Sequence, residues 1–245
     1  MTKKIMALLL FVTSITFAQE KVKLRTNYKK GDSYTIKVKT AQVMGLGVMT
    51  NDMNIHMDQT VTAVSGNEYD MEAKITKMTM DMKQGAMAIS YDSSKKEEEL
   101  SDTGKMMHNQ MKPMLSATIT MKANNRGKVL STKVEPQVPG VDDFTNQSTN
   151  IEYPAEAVKV GDSWSDKKSK KGMNFNYVYT VKSITAKQID LTISGTVDGM
   201  ATGKITGTMH IDRATGVPSS SNLDLALKVQ GQDLSTKIEY TCTKN

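Results

Sequence analysis

The chain has one cysteine, Cys242, among 245 residues, so no internal disulfide can form and stability must come from a buried core. Aromatic residues make up only 5% of the sequence. Charge of one sign is also lacking: without residues 1–18 the chain keeps 30 basic and 26 acidic residues, a balance of +4. Basic residues do not cluster among aromatics, so nothing supports nucleic-acid binding. The one basic knot, Lys167, Lys168, Lys170 and Lys171 before Gly172, reads as a solvated loop. No apolar run is long enough to cross a bilayer as a helix. The stretch from Ile5 to Ile15, preceded by Lys3 and Lys4 and followed by Thr16-Phe17-Ala18, has the form of a secretory signal cleaved after Ala18. Gln19 then leads the mature chain where a lipid-anchored protein has cysteine. The expectation is an exported protein, soluble after cleavage, in the periplasm or cell envelope and not integral to a membrane.

Catalytic patterns are missing too. There is no Gly-x-Ser-x-Gly elbow, His-Glu-x-x-His helix, Cys-x-x-Cys pair or Gly-rich phosphate loop, and only three histidines. Asp32 and Asp162 follow glycines in matching turns, and Asp142 and Asp143 fall in a polar connection. A non-enzymatic protein without a cofactor is expected.

What the chain has is repetition. Lys29-Lys30-Gly31-Asp32-Ser33-Tyr34 returns as Lys159-Val160-Gly161-Asp162-Ser163-Trp164. The segments Val61 to Val64 and Tyr69 to Met71 are echoed by Val181 to Ile184 and Ile189 to Leu191, and Asn125 to Val129 has a weaker echo in Asp212 to Val217. Matches in the same order point to duplication, because each copy must build the same unit. The first half is placed at 19–133, a connection at 134–154, where three of the five prolines occur, and the second half at 155–245.

Period-two alternation dominates both halves and predicts strands with one dry face. Tyr34, Ile36 and Val38 form one stripe, as do Leu115, Ala117, Ile119 and Met121, then Phe175, Tyr177, Tyr179 and Val181, and finally Leu234, Thr236, Ile238, Tyr240 and Cys242. One strand changes parity: Tyr69, Met71, Ala73 and Ile75 are odd, whereas Met78, Met80 and Met82 are even, which predicts a β-bulge or sharp twist near Thr76 and Lys77. Met107, Met111 and Met114 at helical spacing predict a short amphipathic helix near 101–112, capped by Ser101 or Asp102 and ended by Pro113. The fold class is all-β: two duplicated, curved, half-barrel-like antiparallel sheets with one short helix.

Methionine is concentrated: of the 17 outside the leader, 14 lie between Met44 and Met121. Thioether chains repack around varied shapes and suit apolar binding surfaces. Met71, Met78, Met80, Met82, Met107, Met111 and Met114 are therefore the expected groove for a lipid or other apolar small molecule. A structural protein pairing with an envelope partner is the first alternative. The second is Cu(I) binding by Met107, His108 and Met111 on one helix face. His56 and His210 fall opposite their neighbouring methionines on strands, which removes them from any such set.

The run Leu24 to Tyr28, Lys30-Gly31-Asp32-Ser33-Tyr34, Tyr153-Pro154, Val158-Lys159-Val160-Gly161-Asp162-Ser163-Trp164 and Ile211-Asp212-Arg213-Ala214-Thr215-Gly216 resembles domain-of-unknown-function family 6263 over nearly the whole mature chain. The resemblance implies an exported, envelope-associated protein of Bacteroidetes-type bacteria. It brings no known reaction and no catalytic residue.

Overall fold

Alternating apolar residues leave each strand one face to bury, and the chain meets that demand with a continuous surface. The computed structural model describes residues 20–138 and 151–245; the expected leader and most of the expected connection, including Asp142 and Asp143, lie outside them. In chain order the strands are β1 (Ser33–Met44), β2 (Met49–Ser65), β3 (Glu68–Gln84), β4 (Met87–Asp92), β5 (Thr118–Asn124) and β6 (Val129–Glu135). The second half supplies β7 (Ser163–Lys170), β8 (Met173–Ile184), β9 (Gln188–Gly199), β10 (Ala201–Asp212), β11 (Pro218–Val229) and β12 (Gln232–Lys244). Among the described residues one α-helix, α1 (Asp102–Ser116), lies between β4 and β5.

Among the described residues the protein is all-β with a single α-helix, and its first and second parts share one antiparallel sheet. The order is β6-β5-β3-β2-β1-β12-β11-β10-β9-β8-β7, with β4 paired to β3. The seam is β1 against β12, in register from Tyr34↔Lys244 to Met44↔Leu234. Register carries the dry face across the seam: Ile36 lies opposite both Met57 of β2 and Cys242 of β12. Farther along, Leu223, Leu191, Tyr179 and Tyr177 extend the same inner face, each buried. His56 and His210 turn outward, as their parity requires.

The parity change in β3 is a bulge. Pairing passes from Met57↔Ile75 to His56↔Lys77, leaving Thr76 without a partner and restoring Met78 to the inner face, where it is fully buried. Two expectations need correction. The helix does not stop at Pro113 and takes Leu115, which alternation had placed in a strand. Proline costs one backbone bond there, but Met114 buries against the core and Ser116 Oγ donates to the carbonyls of Lys112 (3.1 Å) and Pro113 (3.0 Å), so the last turn holds. At the other end Ser101 Oγ accepts from Gly104 N at 3.1 Å, the expected cap. The basic knot is likewise no loop: Lys167, Lys168 and Lys170 sit on edge strand β7, where charge discourages pairing with other chains. Lys168 points to the inner face, 3.6 Å from Asp166 and 5.8 Å from the centre of the Tyr177 ring.

The two Gly-Asp-Ser turns match bond by bond. Gly31 N donates to Val61 O at 2.9 Å and Val61 N to Asp32 O at 2.8 Å; Gly161 N donates to Val181 O at 2.8 Å and Val181 N to Asp162 O at 2.9 Å. Asp32 and Asp162 each accept from the backbone N–H three residues earlier, at Lys29 (2.9 Å) and Lys159 (3.0 Å). Both copies then carry a register shift, at Val61/Ala63 and at Val181/Ser183. The repeated motif is a scaffold turn: its aspartate closes the loop and its glycine takes positive φ, +89° and +90°.

Two non-periodic segments, 20–32 and 151–162, cross the inner face as arms and meet each other at a Val22↔Val158 bridge. Their apolar residues, Leu24 and Tyr153 among them, complete the second-half core. Two arginine-bearing turns, at Arg126-Gly127 and Arg213 to Gly216, hold them crosswise. Arg126, in the first half, binds Glu152 (3.1 Å) and the Tyr153 carbonyl (2.7 Å) of the second arm. Arg213, in the second half, binds Glu20 of the first arm. Each half thus fastens the arm that leads into the other.

Candidate functional site

Where the arms pass under the first half they leave a gap. Inner-face residues of β1, β2, β3, β5 and β12 surround a cavity of about 140 Å³, with Tyr28 and Tyr153 of the arms beneath it. The walls come from the alternating stripes: Ile36, Val38, Ile55, Met57, Ile75 and Ile119. Tyr240 and Cys242 reach the cavity from the far half because β12 lies beside β1. Burial pushes the phenols of Tyr28 and Tyr240 and the thiol of Cys242 up, so all three are neutral at physiological pH. A neutral, mainly aliphatic cavity binds by excluding water.

The structure divides the seven expected methionines. Met71 lines the cavity. Met78 and Met114 are buried together beneath α1 with Ile75 and Ala117, and Met111 packs on that cluster half-buried. Met80 and Met82 continue along the inner face of β3 opposite Tyr91 and Ile89, half-buried, and Met107 is half-buried on the helix. His108 of the copper alternative has its Nδ1 3.4 Å from the Tyr91 hydroxyl. Among the described residues no three of His, Cys, Asp and Glu gather as a metal site. Residues absent from the expected set are Met57 and Met121, which share apolar stripes with Ile55 and Ile119, and Thr26, Tyr28 and Tyr153, which sit on arms without periodicity.

A second polar cluster escaped motif searching because its members lie on three strands. Ser183 Oγ donates to Asp190 Oδ2 at 2.5 Å, and His210 Nδ1 lies 2.6 Å from Asp190 Oδ1, all on the outer face. Hydroxyl and imidazole both end on the same carboxylate, so neither activates the other as a nucleophile and base must. The bond from Ser183, followed by those from His210 and Gln188, holds the Asp190 carboxyl below its ordinary range, against the opposing effect of burial. A carboxyl depressed in the folded state contributes stability that is fully present above the ordinary carboxylate range and is lost as pH falls through the lower folded-state value. Ser183→Ala should therefore raise the Asp190 titration midpoint, read by carboxyl NMR, and move acid unfolding to higher pH; an unmoved midpoint would show that the serine bond does not set it.

Among the described residues, no helix is long and apolar enough to cross a membrane. A solved structure on lipid–protein interactions in lipovitellin is similar in fold, with a TM-score of 0.58 at 10% identity over 89% of this chain. The chain spans about a quarter of that one, 25% of its length. A mutant porin from Rh. blastica aligns over 86% of this chain and 99% of its own at TM-score 0.23 and 7% identity. DynF from the dynemicin biosynthesis pathway of Micromonospora chersina aligns over 92% and 86% at TM-score 0.19 and 11% identity. No curated protein matches the sequence. Residues 139–218, from within the expected connection through the second Gly-Asp-Ser turn to the start of β11, match the model of a family of unknown function, DUF6263.

Proposed function

We propose that the protein binds an apolar, lipid-like ligand, without catalysis, in the cavity between the first-half sheet and the arms. The observation that carries this reading is a cavity of about 140 Å³ walled by aliphatic side chains and thioethers. An engineered apolar cavity of about 150 Å³ takes up benzene, so the space here suits one ring or a short stretch of alkyl chain, the remainder of a longer ligand leading outward. Met57, Met71 and Met121 in the wall can repack around ligands of different shape. The fold likeness to a protein described for its lipid interactions agrees with this reading. The export pattern of residues 1–18 makes the periplasm or cell envelope the proposed setting.

The test is titration of the mature protein with N-phenyl-1-naphthylamine, whose fluorescence rises on entering an apolar site. Saturable binding of one molecule per chain, with a dissociation constant on the order of micromolar, is expected. A signal that grows without saturation would mean surface adsorption and remove the proposal.

A further inference from the structure

The cavity holds a few polar side-chain atoms, and they do not suit an empty apolar void. Thr26 lines it and is only 6% exposed, yet its Oγ1 has no hydrogen-bond partner among the described residues. Gln59, 7% exposed, also lines it and directs its amide at the Met71 sulfur, 3.3 Å away. A thioether is a weak acceptor, and a buried hydroxyl without a partner is costly, so both groups are better satisfied by an incoming oxygen. Neighbouring Thr26 atoms fix the position: its N–H donates to Asn125 O at 2.8 Å and its carbonyl accepts from the Tyr69 hydroxyl at 2.7 Å, which leaves the side chain as the spare group. Among the described residues, no lysine, arginine, histidine, aspartate or glutamate lines the cavity.

Resting on the apolar-ligand reading above, we infer that the ligand is an uncharged amphipath whose hydroxyl or carbonyl oxygen is bound at the arm end by Thr26 and Gln59. A carboxylate or phosphate brought there meets no cation and loses its hydration, whereas a neutral oxygen exchanges water for two protein partners. The site therefore selects by head-group charge as well as by apolar surface. This separates long-chain alcohols, esters and similar neutral lipids from fatty-acid anions of the same length.

Competition at pH 8 between N-phenyl-1-naphthylamine and two probes of equal chain length, octan-1-ol and octanoate, tests the inference. Octan-1-ol should displace the dye at a concentration at least about tenfold below octanoate, one hydrogen bond's worth of discrimination or more. Thr26→Val, which keeps shape and removes the hydroxyl, should weaken displacement by octan-1-ol by about the same factor when each protein is referred to its own dye affinity. Gln59→Leu serves as an independent second variant. Equal displacement by both probes, or wild-type behaviour of both variants, overturns the head-group inference and leaves the apolar site standing. Failure of the dye itself to bind overturns both.

Discussion

Replacing Gly216 by alanine is expected to lower the melting temperature by about 10 °C, far more than a surface glycine normally commands. Gly216 takes φ +66°, and a Cβ added there would lie 1.9 Å from the Arg25 carbonyl oxygen of the first arm. The left-handed backbone alone costs an alanine about 1–2 kcal/mol. The arm must also lift, which strains the Asn27 N to Thr215 O bond (2.7 Å) and the buried bond from the Tyr153 hydroxyl to the Gly216 carbonyl (2.7 Å). Loss of one such buried bond adds about 1–3 kcal/mol. Circular-dichroism melts of Gly216→Ala and Gly31→Ala separate the two contributions, for Gly31 has φ +89° with nothing within 4 Å of the added atom. Gly31→Ala should show the strain alone. Equal losses in the two variants would mean that contact with the arm contributes nothing.

Ala73→Phe should reduce binding of N-phenyl-1-naphthylamine by at least about a hundredfold while the protein stays folded. Ala73 lies on the inner face between Gln59 of β2 and Ile119 of β5 and lines the cavity. A phenyl ring is close to the largest object that a void of this size takes up. Because it enters empty space, the overpacking cost should stay near the lower end of about 1–3 kcal/mol. Met80→Ala is the complementary variant, since Met80 belongs to the methionine groove expected from sequence and lies outside the cavity lining. Lost binding in Met80→Ala with retained binding in Ala73→Phe would move the site to the methionines beside α1.

These two positions also show why the sequence carried some of the architecture and little of the site. Alternation is local, so the strands, the outward histidines and the slip at Thr76 could be read from neighbouring letters. The duplicated turns were legible because each is a short contiguous motif with its own hydrogen bonds. Pro113 misled because its backbone penalty is a local rule, while the burial of Met114 and Leu115 that outweighs it depends on strands elsewhere in the chain. The arms have no period and few turn signals, and their course follows from the crosswise grip of Arg126 and Arg213, which no local pattern announces. The cavity depends on both: Tyr240 and Cys242 belonged to a visible apolar stripe, but only the pairing of β12 with β1 brings that stripe into one cavity with Met57 and Met71.

That pairing also orders events in time. β1 is the first strand made and stands at the middle of the finished sheet, yet one of its two neighbours is the last strand of the chain, with Thr35 bonding Asn245 across 210 positions. Arg213 and Glu20 are separated by 193. Contacts of such span close late, after the intervening chain has paid its loop entropy. During synthesis the first half therefore emerges with its central strand exposed along one edge and its arm without a receptor, and both remain so until Arg213 and β12 have been made. Keeping β1 from pairing wrongly during this interval is a task that the topology itself sets.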